Sequence, residues 1–227
     1  MKFFDHIQQE TENERSYLLT SPIITDCMQG MVSLESYKAF LTEAYHHVKH
    51  TVPLLMACGS RLPERLEWLR EAIAEYIDEE LGHQEWILDD LEACGVNKED
   101  IRFSTPKFET ELMVSFVYDF IHRKNPVGIF GMVNVLEGTS VALATHAAHI
   151  IQEKLSLPNN AFVYLSSHGS LDVNHIVFYK QLMNKLDNKH DMQAVIDCCK
   201  AVYILYANIF RSLPHAVILN KLHKEAV

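Results

Sequence analysis

The chain has 227 residues, 48% of them hydrophobic and 22% charged, with only 8 glycines and 7 prolines. This is the composition of a folded globular protein and leaves little material for turn-rich sheets or disordered linkers. A net charge of −10 argues against nucleic acid and anionic membrane as partners, since both draw affinity from clustered Lys and Arg.

Five cysteines, an odd number without a C-x-x-C pair, stand in apolar stretches and read as reduced core residues of a cytoplasmic protein. The opening MKFFDHIQQETENER has no apolar run of signal-peptide length. No segment reads as a membrane span, because a Glu or His interrupts each apolar run before it reaches spanning length.

In chain order, Ser33 is an N-cap for a helix read from Leu34 to Cys58. Pro63 and the acidic residues after it open a second helix, which continues to Gly95. A third covers Phe108 to His122. Asn125-Pro126 starts a helix so apolar on all sides that it is central, with a loop after Lys154. Two more lie near Ser170 to Leu186 and Met192 to Leu213. Nothing alternates with a strand's period of two. The expectation is an all-α bundle of about seven helices forming one domain over residues 1–227.

The chemistry lies in three of these segments. In YLSSHGSLDVNHIVFYK, residues 164–180, helical geometry puts Asp172 about 40° from His168 and His175 about 20° to the other side. All three then project from one face that also carries apolar residues. Alone, H-x-x-x-D-x-x-H is equally the pattern of two core histidines hydrogen-bonded to an aspartate. Glu80 and His83 form E-x-x-H, the spacing by which helical bundles hold di-iron or di-manganese centres, though as a lone pair they also read as solvated surface. Glu79 shares nearly the same face as Glu80, so the first carboxylate is open between them. Glu137 is a single carboxylate in the apolar helix with no Lys or Arg close by in sequence. Buried, it requires a positive partner, a metal or a cation from another helix, or else a proton. Together the three segments supply three imidazoles and three carboxylates, which suit Fe or Mn better than structural zinc or iron–sulfur.

With these six positions and this helix order, the sequence resembles the haem-oxygenase-like di-iron oxidases, within the superfamily that includes the TenA, PqqC and CADD-type proteins. The resemblance spans roughly Leu34 to Pro214. It implies a haem-oxygenase-like bundle, two Fe ions (Mn as the alternative), O₂-dependent oxidation of a small-molecule substrate, an external electron donor if the substrate supplies no electrons, and a homodimer. It also implies a division of ligands, with Glu80, His83 and Glu137 at one iron and Glu137, His168, Asp172 and His175 at the other.

Tyr45, His46, His50 and Tyr76 are further candidates for the substrate pocket, because imidazoles and phenols near the metals can hydrogen-bond a polar group or carry a proton. Two rival readings share the fold. One is a TenA-like hydrolase, which needs a cysteine nucleophile where the central helix has Glu137. The other is a metal-free binding protein of the PqqC type.

Overall fold

The computed structural model describes residues 1–215, the side chains of 170–174 excepted. Ser33 does cap a helix, its Oγ accepting from the Ser36 amide at 3.0 Å, but that helix, Leu34–Val48, stops well short of Cys58. A new one begins at Thr51 and runs to Gly59. The cause is Pro53. In a helix interior it would remove a hydrogen bond and clash with the preceding turn, whereas in the first turn of a new helix its missing N–H is not needed. The expected helix from Pro63 to Gly95 is divided in the same way, into Glu67–Glu80 and His83–Ala93.

The described residues thus contain twelve α-helical segments rather than about seven, and no strand. In chain order they are α1 (Phe3–Glu10), α2 (Glu12–Leu19), α3 (Pro22–Met28), α4 (Leu34–Val48), α5 (Thr51–Gly59), α6 (Glu67–Glu80), α7 (His83–Ala93), α8 (Lys98–Arg102), α9 (Phe108–Asp119), α10 (Ile129–Leu155), α11 (Val163–Met183) and α12 (Lys189–Ser212). Beyond the six segments named from the sequence, the others come from the two divided helices, three short helices before Ser33, and the five-residue α8. Asn125 and Asn188 cap as their residue type suggests, each side-chain oxygen accepting from a backbone amide two residues on.

The apolar interior has two parts. One gathers around Leu69, Phe130 and Val202 and the other around Leu41, Leu88 and Ile151. Phe40 joins them, stacked on Tyr37 of the second part and on Phe210 of the first, with ring centroids 6.5 and 5.9 Å apart. Helix α10 passes through both, contributing Ile129 to Val135 to one and Ala144, Ala148 and Ile151 to the other. Between the two parts lies a cavity of about 160 Å³.

Two segments, Pro126–Leu155 and Lys189–Ser212, are long and apolar enough to cross a membrane by length and composition. Charged residues or histidine interrupt both, Glu137 and His146 in the first and Asp197 and Lys200 in the second. Their most apolar windows are 67% and 61% buried within the bundle, the burial of core helices. All five cysteines are buried and free.

Candidate metal centre

Helix α6 ends at Glu80. Leu81 is extended, and Gly82 turns the chain with a φ of +92° before α7 starts at His83. Only glycine enters this left-handed region without a Cβ penalty. E-x-x-H therefore spans a break between two helices and does not lie on one helix face. The turn still closes the pair: His83 Nδ1 and Glu80 Oε2 are 2.9 Å apart, with both side chains nearly buried.

His168 comes to them from α11. Its ring stands edge-on to His83, centroids 4.8 Å apart, and one ligand atom each from Glu80, His83 and His168 lie within 4.8 Å of one another. Two aromatic rings hold these imidazoles in place. Trp86, one turn after His83, packs over its ring at 4.0 Å. Tyr164, one turn before His168, packs against that ring at 4.9 Å.

A second group forms two helical turns further along α11. His175 places Nε2 at 3.2 Å from Glu79 Oε2 and Nδ1 at 3.8 Å from Glu137 Oε1. His175 and Glu137 are both buried, and Glu79 is exposed. The ring of Tyr76 lies 6.3 Å from that of His175. The open choice between the adjacent glutamates becomes a division of labour, Glu80 facing His83 and Glu79 facing His175. Among the described residues His168 stands with Glu80 and His83, whereas the resemblance implied a place for it beside Asp172 and His175. Asp172 lies on α11 between the two histidines, and its side chain falls outside the described residues.

Helix α11 is anchored at its start by Asp90 of α7, whose carboxylate accepts from the amides of Val163 and Tyr164 at 2.9 and 3.0 Å. Burial pushes the Asp90 carboxyl up to about 6, the two amide bonds opposing. In the unfolded chain it ionises near the ordinary carboxylate value of about 4. Between these values the folded state holds the extra proton, so stability is full below about 4 and falls as pH rises through about 6. Asp90→Ala is expected to cost about 1 to 2 kcal/mol at pH 5. It should also abolish this downward slope, as read by urea midpoints across pH 4 to 7. An unchanged slope in the variant would exclude Asp90 as its source.

Glu80, Glu137, His168 and Tyr76 all border the cavity, so both groups open on one chamber. The rest of its wall is mostly apolar, with Phe40, Leu55, Met132, Leu143 and Ile151 among its residues. Tyr45, His46 and His50 lie away from it. Tyr45 packs under Lys49 Nζ, His46 Nε2 bonds Ser104 Oγ at 2.9 Å, and His50 Nδ1 bonds the Tyr118 hydroxyl at 3.3 Å. The α4 imidazole that borders the cavity is His47, which the pairing of His46 with His50 passed over. Its signal was in the sequence: it lies seven residues after Phe40 and beside Ala44 and Val48 on the apolar stripe.

The profile of the family described as "Iron-containing redox enzyme", of haem-oxygenase type, matches residues 38–207. The chain belongs to this family. A comparison with curated protein sequences finds no match. Among solved structures, the chain is similar to a domain of unknown function with a haem-oxygenase-like fold from Shewanella denitrificans (TM-score 0.82, 21% identity, 100% of this chain and 95% of that one). It is also similar to haem oxygenase-1 of the cyanobacterium Synechocystis in complex with haem (TM-score 0.77, 11% identity, 100% and 98%). A third similar structure is a TenA homologue from Pseudomonas syringae (TM-score 0.74, 12% identity, 93% of each). These likenesses establish the haem-oxygenase-like fold.

Proposed function

We propose that this member of the iron-containing redox family is a non-haem di-iron, O₂-dependent oxidase or oxygenase acting on a largely apolar small molecule. The observation that carries the reading is the pair of imidazole–carboxylate groups at one cavity, Glu80, His83 and His168 beside Glu79, Glu137 and His175. Nitrogen and carboxylate donors without thiolate fit Fe, and Mn by the same chemistry. Two irons held here would supply the activation of O₂ and the oxidising power.

The chain's own part is positioning. Glu137, in the middle of α10, would hold its group through His175, while Trp86 and Tyr164 fix the angles of two imidazoles. The apolar wall keeps bulk water from the reacting centre and binds the substrate by its hydrophobic surface. An external electron donor and a homodimer complete the proposal.

The competing hydrolase would need a reactive thiolate in the chamber. Among the described residues the wall offers Cys27, whose thiol burial pushes up to about 11, the setting of an inert core cysteine. Anaerobic addition of Fe(II) to wild-type protein is expected to give about two irons per chain, followed by O₂ uptake and a transient change in the optical spectrum. Failure to bind iron, with stability unchanged in chelator, would leave a helical binding protein in its place.

A further inference from the structure

His47 is buried in the cavity wall and packs edge-on against Tyr206, ring centroids 5.5 Å apart. Its Nδ1 lies 2.8 Å from the backbone carbonyl of Glu43, one turn earlier. A carbonyl oxygen can only accept, so Nδ1 carries the proton and Nε2 is left with its lone pair. Among the described residues Nε2 has no hydrogen-bond partner, and it is the ring nitrogen that remains for the cavity. Burial pulls the His47 imidazole down to about 4, and the charges of His46, His50 and His168 act in the same sense against the Glu43 carbonyl. The ring is neutral at pH 7, and Nε2 is an acceptor.

A second unused polar atom belongs to the same wall. Ser140, one turn after Glu137, has a buried Oγ without a hydrogen-bond partner among the described residues. Each polar group left unmade in an apolar setting is costly, so two on one cavity wall point to a ligand that satisfies them.

We propose that His47 is a specificity-determining residue, and that the chamber takes an apolar molecule bearing an uncharged hydroxyl or N–H that donates a hydrogen bond to Nε2. An anionic head is disfavoured at this end, since a neutral imidazole with its lone pair outward offers an anion nothing and Glu80 and Glu137 already border the chamber. The inference rests on the cavity being the substrate chamber and is independent of which metal, if any, the carboxylates hold.

The test compares para-butylphenol with para-butylanisole, which differ in having or lacking the donor hydrogen. Binding is measured by titration calorimetry on metal-free and on iron-loaded protein. Wild type should bind the phenol about tenfold tighter than the anisole in both forms. His47→Phe should erase that preference with anisole affinity nearly unchanged, and His47→Gln, whose amide oxygen can accept, should keep part of it. Iron content should be unaltered in both variants. Equal affinities in wild type, binding of neither probe, or a preference that survives His47→Phe would overturn the proposal. Loss of iron in His47→Phe would also overturn it, by placing His47 in the metal centre. A protein that takes up no iron yet prefers the phenol would refute the di-iron reading alone.

Discussion

Replacing His168 with alanine is expected to lower iron affinity by more than ~100-fold, leaving the metal-free fold largely intact. The lower bound follows because loss of a group that merely supports a ligand already costs 10- to 100-fold, and on the proposed reading His168 would supply a ligand atom itself. Among the described residues its removal leaves Glu80 and His83 in the first group. In metal-free protein the cost should be about 1 to 2 kcal/mol, the range of a partly buried side-chain truncation. The gap between wild type and variant should then widen when Fe(II) is added, since ligand at a hundred times its dissociation constant stabilises the folded state by about 2.7 kcal/mol. Elemental analysis and thermal melts with and without iron read both quantities. Trp86, packed against His83, supplies an optical signal whose quenching by metal should vanish in the variant. Iron content equal to wild type would sink the assignment of His168 as a ligand. A variant equally destabilised with and without iron would mark the histidine as a core hydrogen-bonding group.

The second large effect is steric and lies on the long helix α10. A Cβ at Gly131 would stand 2.5 Å from both the Cys199 amide nitrogen and the Val195 carbonyl oxygen, which belong to the backbone of α12. Backbone inside a helix cannot rotate aside, so α10 and α12 would have to separate along their contact. Gly131→Ala should destabilise by about 3 kcal/mol or more despite alanine's better helix propensity, a loss of roughly 6 to 12 °C in melting temperature for a domain of this size. The control is Gly138→Ala on the same helix, where a Cβ meets nothing within 4 Å. There only the propensity operates, and a gain of up to about 1 kcal/mol is expected. Equal effects at the two positions, by urea denaturation, would exclude the close crossing. Gly131→Ala should also weaken iron binding, because Glu137 rides on the displaced helix.

The residue types of the candidate site were legible because they contradict their surroundings. Glu137 is a carboxylate in an apolar helix, and H-x-x-x-D-x-x-H repeats polar groups where periodicity demands core. What spacing could not supply was continuity. A period of 3.6 runs unbroken through Leu81-Gly82 and through Lys49-His50, yet the chain turns at both. Gly82 and Pro53 were the available signals, one residue suited to a left-handed φ and one that cannot lie inside a helix. The misread break at Gly82 has a direct chemical result. On one straight helix Glu79 and Glu80 would compete for a single role, whereas at a helix end they reach different histidines. His47 was missed for a different reason. Pairing histidines by spacing finds those that share a face, but which face meets a cavity depends on helix packing.

The passage of α10 through both halves of the interior bears on how this chain tolerates change in length. Ile129 to Val135 grip one half and Ala144 to Ile151 the other, with Glu137 between them. A single residue inserted or deleted between the two grips would rotate one relative to the other by about 100°, turning apolar side chains of one half toward water or Glu137 away from His175. Surface loops such as the one following α10 can lengthen at little cost. The stretch from Leu136 to Leu143 has no such freedom, and chains that keep this site should keep its residue count.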